Sequence, residues 1–307
     1  MTSVPSPFQH PGSPPLRPEL PDGAPPPTQP ATGGVPSLGV PAWAPLMGIL
    51  LVAFGYALIS ILVGAVIGIA GGNVNNLEDN QPLTIGLTLA LDGVLVTAPI
   101  VIVTWITNQR PALEAFGLRE PASWKNALVT LMVVYIGFWA VTLIVAAIFG
   151  NAKDQDIVVD LKSQDSLPIL GGFIVMTCIV APLAEEFFFR GFLFKVLWER
   201  TNVIVATIVT GVTFGLVHKP GGDWIGVAVL ALFGAALCLL FWRTASLLPC
   251  IMLHSFHNSI SFGFTKELPW WGFLLLTVGS VTTTLAIALL ATRLGRRVAS
   301  PPLPAPA

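Results

Sequence analysis

Charged residues are scarce in this chain of 307 residues. Asp, Glu, Lys and Arg make up 10% of it, against about 25% in a typical soluble domain, while 54% of the residues are hydrophobic. The formal net charge is only −1, so no bulk electrostatic attraction to nucleic acid is expected. This composition excludes an ordinary soluble domain and indicates a membrane protein with several spans.

Cysteine is also rare, with three residues in separate apolar runs: Cys178, Cys238 and Cys250. Their spacing matches neither a disulfide framework nor a metal cage, so we expect buried thiols. The sequence contains no His-Glu-x-x-His motif, which excludes the zincin type of zinc site.

Proline, glycine and serine dominate residues 1–42, where branched and aromatic apolar residues are few. Such a segment cannot bury enough apolar surface to offset the entropy lost on ordering, so we predict a disordered cytoplasmic tail. Residues 298–307 form a second, short proline-rich tail. The transmembrane domain is therefore expected over residues 43–297.

About eight apolar runs approach the length of about 20 residues that a helix needs to span a bilayer. They cover residues 44–70, 84–106, 127–149, 167–199, 203–218, 224–242, 245–262 and 270–291. The expected fold is all-α, a polytopic bundle of about eight transmembrane helices in the cell membrane. Lys and Arg concentrate in alternate loops, and the positive-inside rule then predicts that both termini are cytoplasmic.

Two glutamates and an arginine stand inside the fourth apolar run. An ionised side chain at the centre of a membrane helix costs about 2.5–3.5 kcal/mol, so such residues are usually paired or functional. Glu186 and Arg190 are four residues apart and share a helix face, which predicts an ion pair. Glu185 points about 100° away from that face, and an unpaired carboxylate in a partly dry site can act as a general base.

Further polar residues stand in later spans: His218 ends the fifth, and His254 and Asn258 share a face of the seventh. With Glu185 they supply the groups that water activation and oxyanion stabilisation need. Structural explanations are also open, namely an interfacial histidine and hydrogen bonds between helices.

Two other functions are compatible with these polar residues. One is a proton-coupled transporter, although no second copy of the glutamate segment marks a repeated half. The other is a catalytically silent membrane scaffold or immunity protein. Asp92 in the second span and His257 beside the seventh-span motif have no assigned role.

The three motifs together resemble those of a known family of intramembrane proteases. They read Glu185-Glu186-x-x-x-Arg190, Phe214-x-x-x-His218 and His254-x-x-x-Asn258. The resemblance covers residues 168–261 and is to the CAAX-protease-and-bacteriocin-processing family, which includes the type II CAAX prenyl endopeptidases and the Abi proteins. It implies a helical bundle around a polar cavity that hydrolyses a peptide bond of a membrane protein or lipidated peptide.

The resemblance also implies a role for each motif residue. Glu185 would activate the water and His218 would help to hold it, while the paired Glu186 would shape the site. His254 and Asn258 would stabilise the oxyanion or complete a metal site. Family members are commonly described as metalloproteases, and Glu185, His218 and His254 would be the zinc ligands if a metal is used. A metal-free glutamate mechanism is equally compatible with these residues.

Overall fold

The computed structural model describes residues 35–69, 81–153, 155–219 and 222–298. Within these ranges the chain is helical and has no strand, which confirms the all-α prediction. Its nine helices are α1 Ala44–Ile69, α2 Gln81–Thr107, α3 Trp124–Phe149, α4 Asp156–Ser163, α5 Leu167–Arg200, α6 Val203–Val217, α7 Trp224–Thr244, α8 Leu247–Thr265 and α9 Trp270–Val298. The greater part of both predicted tails, residues 1–34 and 299–307, lies outside the described residues.

Eight of these helices coincide with the eight predicted spans, and the remaining helix, α4, is short. Six of them (α1, α2, α3, α5, α7 and α9) are long and apolar enough to cross a membrane. Helix α6 is apolar but has only 15 residues, and α8 is interrupted by polar side chains. The protein is a multi-pass membrane protein, whereas the cytoplasmic location of its termini stays a prediction.

Helix α5 lies at the centre of the bundle. It packs against α1, α2 and each of α6 to α9, and also against the short 3-10 turn Leu113–Phe116. A run of phenylalanines in its second half is buried, and the ring of Phe187 lies 4.6 Å from that of Phe116. The two glutamates therefore stand in the helix that has the most neighbours, at the start of its most deeply buried stretch.

Helix α5 is not uniformly α-helical. Two π-helical stretches, Val175–Val180 and Phe187–Phe194, flank the α-helical stretch Ala181–Glu186. Pro182 lies between them, and proline has no backbone N–H and clashes with the carbonyl four residues earlier. Local widening into a π-turn is a common way to accommodate such a residue.

Glycines bring α6 and α7 close together. A Cβ atom on Gly215 would lie 2.4 Å from the carbonyl oxygen of Val227, and one on Gly211 would lie 2.8 Å from that of Ala231. Small residues at helix contacts are typical of membrane proteins, because association there depends on close packing. This contact fixes the end of α6, which His218 follows directly.

The chain before α1 is bound to the carboxyl end of α5. Lys195 donates a 2.6 Å hydrogen bond to the carbonyl of Pro36 and forms a 2.6 Å ion pair with Glu199. Ser37 donates to the same glutamate at 2.8 Å. Nearby, three apolar side chains are buried: Val35, Leu38 and Val40. Residues 35–40, which the sequence analysis assigned to the tail, thus pack onto the bundle.

Replacing Gly215 by alanine is expected to destabilise the protein, because the new methyl group would meet backbone that cannot move aside. Overpacking of this kind typically costs about 1–3 kcal/mol. The measurement is the midpoint of thermal unfolding of the purified protein in detergent. Gly279→Ala is the matched control, because a Cβ atom at Gly279 meets nothing within 4 Å. Equal midpoints for the two variants would contradict the packing argument.

Candidate active site

The ion pair predicted from helix spacing is present and is completely buried. Arg190 Nη1 lies 2.8 Å from Glu186 Oε1, and both side chains have 0% exposure. The second terminal nitrogen of Arg190 donates a 3.1 Å hydrogen bond to the carbonyl of Gly234. The guanidinium also stacks over the ring of Phe214 at 4.6 Å, a cation–π contact. The arginine charge is thus compensated from three directions.

His254 on α8 binds the same carboxylate oxygen. Its Nδ1 lies 2.8 Å from Glu186 Oε1. Because an ionised carboxylate only accepts hydrogen bonds, the Nδ1–H of the imidazole is the donor. The rings of Phe214 and Phe233 contact the imidazole edge-on at 5.9 and 5.5 Å. These contacts fix the ring so that its other nitrogen, Nε2, faces Glu185.

Glu185 is the carboxylate that remains free. Its Oε2 is buried and has no hydrogen-bond partner among the described residues. That oxygen lies 3.8 Å from Nε2 of His254, too far for a direct hydrogen bond. The neighbouring Glu186 is bound to Arg190 and His254 at once. Both of these contacts go to Glu186 Oε1, and its Oε2, like Glu185 Oε2, is buried without a hydrogen-bond partner among the described residues. The two glutamates therefore differ in that one binds Arg190 and His254 directly and the other does not.

His218 reaches this cluster only through Phe214. Its Nδ1–H donates a 2.7 Å hydrogen bond to the carbonyl of Phe214, which leaves Nε2 as a potential acceptor. The ring of Phe214 lies 4.9 Å from His218 and 5.9 Å from His254. In the described part of the chain no hydrogen bond joins His218 to Glu185. The structure thus joins one of the two predicted histidines to the glutamates directly.

Asn258 contacts α5 at a different level from His254. Its Nδ2 donates a 2.8 Å hydrogen bond to the carbonyl of Thr177, in the first π-helical stretch. One of its two N–H bonds is therefore committed to backbone. Among the described residues, Asn258 forms its hydrogen bond with this carbonyl and forms none with Glu185 or Glu186.

His257 lies in an aromatic environment beside the site. The hydroxyl of Tyr135 and the Nδ1 of His257 are 3.2 Å apart. The imidazole stacks on Phe233 at 4.3 Å, and the same phenylalanine contacts His254. Phe233 therefore separates the two histidines, and His257 lies behind the site.

Asp92 approaches the site from α2. It has 4% exposure, and its Oδ2 has no hydrogen-bond partner within the described ranges. Helix α2 packs against the Ala181–Glu186 stretch, and the carboxyl groups of Asp92 and Glu185 lie close enough to interact electrostatically. The sequence shows this acid but not its neighbour, because the two lie on separate helices.

Sequence reasoning missed several groups that hold the site together. The carbonyl of Gly234 and the ring of Phe233 come from α7, where no polar motif drew attention to them. Phe214 was noted only for its spacing from His218, whereas it also contacts Arg190 and His254. Aromatic and backbone partners of this kind carry no distinctive sequence signal.

The candidate metal ligands do not form a three-ligand site in this arrangement. Because Nδ1 of His254 and Nδ1 of His218 are engaged by Glu186 and by the carbonyl of Phe214, Nε2 is the nitrogen that each ring could offer a metal. Across residues 35–69, 81–153, 155–219 and 222–298, no three His, Cys, Asp or Glu side chains are grouped as metal ligands would be. Glu185, His218 and His254 therefore do not fit a zinc site as they stand.

A comparison with protein families finds a match over residues 168–260. The matching model is that of the type II CAAX prenyl endopeptidase Rce1-like family. The matched segment begins in the first turn of α5 and ends in α8. It contains all six candidate residues: Glu185, Glu186, Arg190, His218, His254 and Asn258.

Two curated proteins are similar to shorter parts of the chain. A Bacillus subtilis (strain 168) protein named "Putative membrane peptidase YdiL" is 27% identical over 115 residues, which cover 36% of this chain and 44% of that protein. An "Uncharacterized protein" of Mycoplasma capricolum subsp. capricolum (strain California kid) is 33% identical over 90 residues, or 29% of this chain and 26% of that protein. The chain thus spans less than half the length of these relatives.

No solved structure matches the chain significantly. In the segment that carries its candidate site, this chain matches the Rce1-like family of type II CAAX prenyl endopeptidases.

Proposed function

We propose that this protein is an intramembrane endopeptidase in which Glu185 activates the hydrolytic water. The observation that carries the proposal is the contrast between the two adjacent glutamates. Glu186 binds Arg190 and His254 directly through its Oε1, whereas Glu185 forms a hydrogen bond with neither, and its buried Oε2 lies 3.8 Å from His254 Nε2. The family match over this segment supports protease chemistry at the family level.

The proposed reaction starts with a water held between Glu185 and His254. Glu185 accepts a proton from the water as the water oxygen attacks the carbonyl carbon of the scissile peptide bond. Because Nδ1 carries the proton of the neutral His254 ring, its Nε2 accepts the second O–H of this water and holds it beside Glu185. Glu185 then returns the proton to the amide nitrogen as the C–N bond breaks, which yields a carboxylic acid and an amine.

Glu186 and Arg190 act in this proposal as positioning residues. The carboxylate of Glu186 orients the His254 imidazole by accepting from its Nδ1–H, as the acidic residue of a catalytic triad orients its histidine. Arg190 neutralises the charge that this buried carboxylate would otherwise carry alone. His218, with an unbonded Nε2, is proposed to assist with the water from the end of α6.

The proposed substrate is a membrane-associated protein or peptide. A site in a protein with six helices long and apolar enough to cross a membrane meets its substrates in or beside the lipid bilayer. The matching family is described by its action on prenylated CAAX ends, so a lipidated C-terminal peptide is the first substrate class to test.

Substituting Glu185 by glutamine is expected to lower kcat by about 10²–10⁴-fold, the usual contribution of a general base. Folding should be unaffected, because Glu185 makes no direct hydrogen bond to His254. Glu186→Gln should instead unfold at a lower temperature, because breaking a buried ion pair costs about 3–5 kcal/mol. Cleavage of a fluorogenic peptide library that includes prenylated peptides, combined with thermal melting, measures both effects.

Wild-type turnover in Glu185→Gln would contradict the proposal, and the absence of cleavage of any peptide would favour the scaffold or transporter alternatives.

The same assay with a zinc chelator tests whether the reaction requires a metal. Cleavage that survives chelation supports the metal-free mechanism, whereas loss that zinc restores identifies a metalloprotease.

Glutamine substitutions of the two histidines of α8, His254 and His257, provide a matched pair of variants. His254→Gln should lower kcat by about 10²-fold or more, because it removes the imidazole that faces Glu185. His257→Gln should keep kcat near the wild-type value and lose about 1 kcal/mol of stability with its Tyr135 contact. Steady-state kinetics and melting on both variants make the comparison, and equal losses of kcat would argue against the assignment of His254.

A further inference from the structure

Pro182, three residues before Glu185, removes one backbone N–H of α5 at a point where either of two carbonyls, those of Thr177 and Cys178, could accept it. In an α-helix the N–H of residue 182 would bond to the carbonyl of Cys178, and in a π-turn to that of Thr177. Proline has no N–H, so neither bond can form. Inside a membrane bundle no bulk water is at hand to replace it, and an unpaired carbonyl is costly there.

Side chains of α8 donate hydrogen bonds to both carbonyls. Asn258 Nδ2 donates to the carbonyl of Thr177 at 2.8 Å, and Ser255 Oγ donates to that of Cys178 at 2.7 Å. Thr284 Oγ1 on α9 lies 3.3 Å from Ser255 Oγ and 3.5 Å from the Cys178 carbonyl oxygen. The hydroxyl groups are completely enclosed, because Ser255 and Thr284 both have 0% exposure.

These contacts dock α8 onto α5 on one side of Pro182, and His254 docks it on the other. Ser255 directly follows His254 along α8, and His254 binds Glu186, four residues after the proline. The two helices are thus joined both before and after the point where α5 changes its helical pitch. The position of the His254 ring relative to the glutamates depends on both attachments.

We infer that Asn258 and Ser255 are positioning residues, which bind the carbonyls of Thr177 and Cys178 beside the break that Pro182 makes in α5 and so hold His254 against Glu185 and Glu186. This role uses one N–H of the Asn258 amide and leaves the second for the oxyanion role that the family resemblance implies. Only its kinetic consequence rests on the proposed function, because the docking itself is a property of the fold.

A double-mutant cycle between Ser255→Ala and Pro182→Ala tests the inference on the full-length protein in detergent. With Pro182 present, Ser255→Ala leaves the Cys178 carbonyl without its close donor. The variant should melt at a lower temperature, and kcat on the best library peptide should fall about tenfold at unchanged KM. With alanine at position 182, the restored N–H can serve that carbonyl, so the same substitution should cost markedly less in both measurements.

Ser259→Ala is the matched control for the cycle. Ser259 is buried on the same helix but donates its 2.8 Å hydrogen bond to the carbonyl of Ser255 in its own helix. Its substitution should therefore have the same effect with either residue at position 182. A Ser255→Ala cost that is equal in both backgrounds would overturn the inference.

The same cycle with Asn258→Leu separates the two roles of the asparagine. An oxyanion donor would lose kcat equally in both backgrounds and leave the melting temperature unchanged, which would overturn the positioning role. A positioning residue lowers the melting temperature as well. If no peptide is cleaved, the proposed function fails, but the melting arm of the Pro182 cycle still decides the docking.

Discussion

A single carboxylate oxygen, Oε1 of Glu186, organises the candidate site. It accepts from Arg190 within its own helix and from His254 on α8, each at 2.8 Å. A buried glutamate needs both a compensating charge and hydrogen-bond donors, and this arrangement supplies them together. Because Glu186 binds the arginine and orients the imidazole, Glu185 is left without a direct hydrogen bond to either, although its Oε2 lies 3.8 Å from His254 Nε2. The chemical difference between two adjacent and otherwise identical side chains follows from this sharing.

Aromatic packing keeps that polar cluster dry and in place. The ring of Phe214 contacts the guanidinium of Arg190 and the imidazoles of His218 and His254. Phe233 does the same between the two histidines of α8. A cation over an aromatic face retains part of its stabilisation when water is excluded. The aromatic rings thus complete the environment of groups that the bilayer interior would otherwise disfavour.

Buried polar groups of the α5 backbone are also paired with side chains of other helices. Pro182 interrupts the hydrogen-bond ladder one turn before the glutamates, and the neighbouring π-turn presents its carbonyls to α8 and α9. In water such carbonyls would be solvated, but within a membrane bundle they become attachment points for other helices. The break in α5 therefore lies where α8 packs against it. Polar side chains that look catalytic by spacing can be satisfied by such backbone groups.

The sequence by itself determined the features that depend on local periodicity. Apolar length predicted eight spans, and each coincides with a helix in the structure. Six of these helices are long and apolar enough to cross a bilayer, which requires about 20 apolar residues whatever the fold. The four-residue spacing of Glu186 and Arg190 predicted their ion pair, because helix geometry alone brings them together. Only the tertiary structure decided that His254 binds Glu186, that Asn258 binds the Thr177 carbonyl and that Asp92 lies near Glu185. These contacts join different helices, so their distances depend on packing and on the π-turns beside Pro182, which no periodicity along the chain records.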